Sequence, residues 1–60
     1  MDAWRCLKIT SKDGETFTYT LERVTGEPAG EIKTVEGRDG MLQVNAYYDD
    51  DLNRLEPYGG

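Results

Sequence analysis

The side chains here that could do chemistry are few. There is one thiol, Cys6, one serine, Ser11, and one dense acidic run, Asp49-Asp50-Asp51, in a chain with no histidine. Absence of histidine removes the commonest general base and the commonest transition-metal ligand. Cys6 sits in an alternating polar and apolar segment, where the ordinary expectation for a thiol is burial as a small hydrophobe. Ser11 stands at a strand end beside a turn, a position that favours a bond to backbone over attack on a substrate. No nucleophile and base pairing can be assembled from this set. The sequence therefore predicts no enzyme, no catalytic residue and no cofactor. The aspartate run does not have the ligand spacing of a calcium loop, which needs oxygens at alternate positions, a central glycine and a later glutamate. No metal site is expected.

What the acidic run could do instead is cap or bind. An aspartate at the start of a helical turn accepts backbone N–H groups and places negative charge at the positive end of the turn. Alternatively the run is an acidic patch, and Tyr47, Glu56 and Tyr58 lie close to it in sequence. Aromatic side chains beside charged ones are common interface anchors. Trp4 joins this candidate set because it falls off the apolar face defined by Leu7 and Ile9. The expected partner-binding residues are thus Asp49, Asp50, Asp51, Glu56, Tyr47, Tyr58 and Trp4, with simple capping and solvation of the aspartates as the competing reading.

Charge narrows the partner. Twelve acidic residues against seven basic ones give a net charge of -5. Direct nucleic-acid binding, which draws its affinity from Lys and Arg neutralising phosphates, is not expected, and an anionic membrane would repel the chain. A basic protein surface would attract it. A lone cysteine forms no internal disulfide, so the expected setting is reducing and cytoplasmic. No apolar run is long enough to span a bilayer, and residues 1–10 do not have the continuous apolar stretch of a signal peptide.

The elements that must position these side chains follow from alternation. Residues 5–11 place Leu7 and Ile9 on one face, and residues 16–23 do the same with Phe17, Tyr19 and Leu21. The connection Lys12-Asp13-Gly14 predicts a three-residue loop pairing Ile9 with Phe17 and Leu7 with Tyr19. A second loop of the same kind, Arg38-Asp39-Gly40, predicts a second hairpin between residues 31–36 and 41–48, gathering Leu42, Val44, Ala46 and Tyr48 on one side. Ile32 and Val35 are three apart and cannot share a strand face, so a bulge or short strand is expected there. Thr25 to Gly30, with two glycines and a proline, reads as the loop between hairpins. A short helical turn should follow Tyr48 and end before Pro57, placing Leu52 and Leu55 over Trp4 and Cys6.

The predicted fold is a single all-β domain over residues 1–60. It consists of two antiparallel hairpins in a four-stranded sheet or small open barrel, with a C-terminal helical turn. Its expected core is Leu7, Ile9, Phe17, Tyr19, Leu21, Ile32, Leu42, Val44 and Ala46. So small a chain covers its apolar face with difficulty, and a homodimer or a partner is expected to help. The leading functional expectation is an acidic inhibitor or regulator that occupies the basic, nucleic-acid-binding surface of another protein, by analogy with phage anti-defence proteins and other nucleic-acid mimics. Strand addition at an open sheet edge is the alternative. The terminal Gly59-Gly60 also resembles the tail of ubiquitin-like and sulfur-carrier proteins, but those folds need a helix after the first hairpin that Thr25 to Gly30 does not supply.

Overall fold

The computed structural model describes residues 2–55. The fold is all-β: strands β1 (Ala3–Ser11), β2 (Phe17–Thr25), β3 (Ile32–Gly37) and β4 (Tyr47–Tyr48) form one curled antiparallel sheet in the order β3-β2-β1-β4. The expected class and strand number are present. Several expected pairings are not.

In the first hairpin Ile9 lies opposite Tyr19 and Ser11 opposite Phe17, two residues away from the expected register. The connection is longer than three residues because Asp13 closes it with its own side chain. Its Oδ1 accepts the N–H groups of Glu15 at 3.1 Å and Thr16 at 2.8 Å, while Lys12 N donates to Thr16 O at 2.8 Å. Gly14 takes the left-handed conformation expected of it, at φ 88°. A slip of two residues leaves every side chain on its original face, so alternation alone carries no information against it.

Further along β1 the alternation itself changes phase. Cys6 pairs with Leu21 and Lys8 with Thr20, leaving Leu7 as an extra residue in the ladder. Beyond this bulge the even-numbered side chains of β1, Cys6 and Trp4, share the face of Tyr19 and Leu21. Trp4 is 2% exposed and Cys6 fully buried, whereas Leu7 is half-buried and Ile9 is 39% exposed. The magnitudes favour this exchange. Burying an aromatic side chain of roughly 150–250 Å² at about 25 cal/mol per Å² is worth about 4–6 kcal/mol, against about 1 kcal/mol for one ladder hydrogen bond.

The expected second hairpin does not form. β3 pairs with β2, from Phe17 opposite Gly37 to Glu22 opposite Ile32, without any register shift. The turn between them is tied by Arg23 N to Glu31 O and Gly30 N to Arg23 O, both 2.9 Å. Pairing with β2 puts Val35 opposite Tyr19 on the apolar face and turns Ile32 outward, 54% exposed, so no bulge is needed to separate them. β4 lies at the opposite edge of the sheet, and residues 38–46 must therefore cross from one edge to the other. They run over the apolar face as an irregular segment, with Leu42 and Ala46 buried beneath and Val44 outward at 47% exposure.

Such a segment needs partners for its backbone. Tyr19 Oη donates to Arg38 O and accepts from Met41 N at 3.3 Å, Gln43 N donates to Tyr48 Oη at 2.8 Å, and Cys6 exchanges bonds with Ala46 O at 3.0 Å and Asn45 N at 2.8 Å. The core is thus Ala3, Trp4, Cys6, Tyr19, Leu21, Leu42, Ala46 and Tyr48, with Phe17, Val35, Met41 and Leu52 packed against it. Of the expected core, Leu7 is taken out of the ladder by the bulge, Ile32 is turned outward by pairing with β2 and Val44 by the crossing path, while Ile9 stays opposite Tyr19 but is 39% exposed near the end of β1.

After β4 there is no helix among the described residues. Residues 49–55 turn back on β4, with Asp49 N to Asn53 O and Leu52 N to Asp49 O at 3.0 Å, Leu55 N to Tyr47 O at 2.9 Å, and a bridge between Tyr48 and Arg54. Leu52, at φ 68°, leaves helical geometry at the point where a helix would continue. Glu56 and Pro57, at the end of the expected helical turn, lie outside the described residues.

Gly14 and Gly40, at φ 88° and 82°, have no neighbour within 4 Å of the position a Cβ would take. The cost of a side chain there is conformational and not steric against neighbours. Gly14→Val and Gly40→Val should each lower stability by about 1–3 kcal/mol, and the Asn variants by clearly less, since Asn tolerates the left-handed region. Chemical denaturation of the four variants measures this, and equal losses for Val and Asn would contradict it.

Candidate partner-binding surface

The sequence singled out the aspartate run and its aromatic neighbours, and the fold gives each a definite place. Trp4 is opposite Tyr48 in the β1–β4 pair, and its indole N–H donates to Asp50 Oδ1 at 2.7 Å. Two cations lie over the indole: the Arg23 guanidinium is 4.4 Å and Lys33 Nζ 3.9 Å from the ring centroid. Trp4 is therefore engaged inside the protein and does not offer its ring to a partner. Leu52 packs against the cluster that contains it, in keeping with the expected cover, while Leu55 is only half-buried.

Asp49 is occupied as well. Its Oδ1 accepts from Asp51 N and Asn53 N at 2.9 Å, and its Oδ2 from the Asn53 side-chain amide at 3.2 Å. These bonds, that from the Asn53 backbone first, hold its carboxyl below the usual aspartate range. Asp13 is lowered in the same way, chiefly by Thr16 N–H and then by that of Glu15. Asp51 keeps its carboxylate in solvent. Tyr47 is on the opposite sheet face to Tyr48, opposite Arg5. Glu56 and Tyr58, with the Gly59-Gly60 tail, lie outside the described residues. The structure thus brings Trp4, Tyr48 and Asp50 together and sets Tyr47 apart from them.

Internal pairing claims further carboxylates. Arg5 meets Glu22 at 3.5 Å, Lys12 meets Glu36 at 2.8 Å, and Arg23 bridges Asp2 and Glu31, the latter at 2.9 Å. The bond from Glu31 foremost, then those from Asp2, raises the Arg23 pKa further. Glu15, Glu27, Asp39 and Asp51 have no such partner among the described residues and are spread over separate turns. The Cys6 thiol is pushed up by burial, as befits an inert core sulfur. Among the described residues no group of three acidic, Cys or His side chains is placed to hold a metal, and no cavity opens.

A different feature is left open. The bond from Arg23 N to Glu31 O fixes the phase of the β2–β3 ladder, in which inward and outward residues alternate. Lys33, Val35 and Gly37 bond toward β2, so the N–H and C=O groups of Ile32, Thr34 and Glu36 point away from the sheet. No strand among the described residues lies beyond them. β3 is regular, and it has neither the proline nor the bulge with which exposed edges are usually blunted. Lys33 and Glu36, the charges on it, are turned to Trp4 and to Lys12. Sequence reasoning expected an open sheet edge as its alternative but did not assign it to this strand, although the three-residue spacing of Ile32 and Val35 was a signal that one of them must face out.

Comparison with known protein families, curated proteins and solved structures finds no match.

Asp50→Ala would leave the buried indole N–H unpaired, at a cost of about 1–3 kcal/mol, whereas an exposed ion pair such as Lys12–Glu36 is worth about 0–1 kcal/mol. Asp50→Ala should therefore destabilise the protein more than Glu36→Ala. As Trp4 is the only tryptophan, its fluorescence reports the loss directly. An unshifted emission spectrum in Asp50→Ala, with stability like that of Glu36→Ala, would show that the indole does not depend on this bond.

Proposed function

We propose that this chain is a non-catalytic protein-binding module that takes up an extended strand of its partner along the outer edge of β3. The observation that carries the reading is the row of outward backbone groups at Ile32, Thr34 and Glu36 on a regular strand with no cover beyond it. In strand addition the main chain supplies affinity, and alternate side chains supply selectivity. Ile32 then stands at the junction on one face of the extended sheet and Val35 on the other.

A proline test separates binding from folding. Thr34 directs its N–H outward, so Thr34→Pro removes a donor the β2–β3 ladder does not use, and proline is tolerated at such edge positions. Val35→Pro removes a donor the ladder does use. Thr34→Pro should melt close to the parent and lose proteins captured from an extract of the native host, while Val35→Pro should unfold. A Thr34→Pro variant that melts like the parent and retains every captured protein would overturn strand addition at β3.

The net charge of -5 favours a second reading, an acidic inhibitor or regulator that engages a basic, nucleic-acid-binding surface. Arg5, Lys12 and Arg23 are paired with Glu22, Glu36, Asp2 and Glu31, so the carboxylates of Glu15, Glu27 and Asp51 are among those that present the negative charge to solvent. Glu15→Gln, Glu27→Gln and Asp51→Asn together remove charge without touching the structural bonds of Asp49 and Asp50. On this reading the triple variant associates more slowly with a captured partner, with a flatter dependence on salt. Unchanged rates at low salt would exclude it.

A further inference from the structure

The chain contains two Asp-Gly steps in exposed turns, Asp13-Gly14 and Asp39-Gly40, and the fold treats them differently. At the first, the carboxylate is bound by the N–H groups of Glu15 and Thr16, and the amide of Gly14 donates to Ser11 Oγ at 3.3 Å. At the second, neither the Asp39 carboxyl nor the Gly40 N–H has a hydrogen-bond partner among the described residues. We propose that Asp39-Gly40 is a modification site of the folded protein, at which the main chain isomerises spontaneously to isoaspartate with water as the only co-reactant.

The reaction needs both groups free. The Gly40 nitrogen attacks Cγ of Asp39, a new C–N bond forms, and the amide proton leaves with the carboxyl hydroxyl as one water. The product is a five-membered succinimide, in which that nitrogen is bonded to both Cγ and the main-chain carbonyl carbon of Asp39. Water then adds back. Opening at Cγ restores aspartate, while opening at the main-chain carbonyl leaves the chain running through Cγ as isoaspartate. One water is lost and one gained, and nothing is oxidised or reduced.

Two features set the rates apart. A neutral carboxylic acid is a far better electrophile than a carboxylate, and the hydrogen bonds that hold Asp13 ionised also hold its Cγ in place. A glycine nitrogen is the least hindered backbone nucleophile, but that of Gly14 is engaged with Ser11 and that of Gly40 is not. The site also matters to the fold. Arg38 O and Met41 N, on either side of Asp39-Gly40, are the groups that Tyr19 Oη holds against the core. Isoaspartate inserts one methylene into the main chain between them, so both bonds cannot keep their geometry and the cover provided by Leu42 loosens.

The test uses the full chain, incubated in ¹⁸O-labelled water at mildly acidic pH, where part of the unbonded carboxyl population is neutral, and then mapped by peptide mass spectrometry. Each passage through the succinimide introduces one heavy oxygen. Label and isoaspartate should accumulate several-fold faster in the peptide holding Asp39 than in that holding Asp13. In denaturant the two rates should converge, because the fold and not the flanking sequence separates them. Asp39→Glu, whose longer side chain does not form the five-membered ring, should abolish the modification there, and Ser11→Ala should raise the rate at Asp13. Equal rates in the folded protein, a faster Asp13, or a difference that persists unchanged in denaturant would overturn the assignment.

Discussion

The structure depends on one irregularity, the bulge at Leu7 that reverses the facing of β1 halfway along its length. Without it Trp4 and Cys6 would point away from Tyr19 and Leu21, and the apolar face would continue from Ile9 through Leu7 to the charged Arg5. With it the indole enters the core and finds Asp50 for its N–H. That contact in turn anchors residues 49–55 beside β4, a strand of only two residues that a ladder alone would hold weakly. In a chain of 60 residues, where total stability is on the order of 3–9 kcal/mol, a buried tryptophan with a satisfied donor is a large share of the whole.

The second constraint is cover for a single sheet. A helix would be the ordinary solution, but residues 38–46 are interrupted early by Gly40 and leave too few residues after it. The chain covers the face with irregular backbone instead, and irregular backbone must bring its own hydrogen-bond partners. Two tyrosine hydroxyls serve as fixed posts: Tyr19 holds the start of the crossing and Tyr48 its middle. Tyrosine suits this role because its ring fills the core while its hydroxyl reaches the polar segment above. Phenylalanine at Tyr48 would keep the packing and leave Gln43 N–H without its partner, whereas at Tyr19 it would leave Arg38 O and Met41 N only the 3.3 Å bond between them.

The sequence made the all-β class, the first three strands and the last two residues of the fourth, the exposed loop at Thr25 to Gly30 and the left-handed turns legible, because alternation and turn chemistry are local. It did not reveal which strands pair. Pairing of residues 32–37 with β2, and not with residues 41–48, depends on competition for an edge between segments distant in sequence. The identical chemistry of Lys12-Asp13-Gly14 and Arg38-Asp39-Gly40 suggested two equivalent hairpins, yet only the first reverses a strand onto its neighbour. The bulge at Leu7 was equally invisible, since Leu7 and Ile9 alternate perfectly well until the tryptophan two turns of the pleat earlier is taken into account. Of the candidate site, Asp49 was legible as a cap, although of a reversing turn and not of a helix. Trp4 was legible as a residue in need of cover.

Charge was the most conspicuous property of the sequence and the least specific guide to function. A net charge states how many carboxylates exceed cations, not how many of them are free to meet a partner. Here Asp49 closes a turn, Asp50 satisfies an indole, Asp13 closes a loop, and Asp2, Glu22, Glu31 and Glu36 are matched by cations of the same chain. The densest acidic run in the sequence is therefore largely structural, and the carboxylates that remain in solvent are dispersed over separate turns. A dispersed field guides an approaching basic partner without defining a contact. A sheet edge is the reverse, since its hydrogen bonds act only at contact and are indifferent to salt. The two readings of this chain are thus statements about different stages of association, and the open edge of β3 is the one that specifies a geometry.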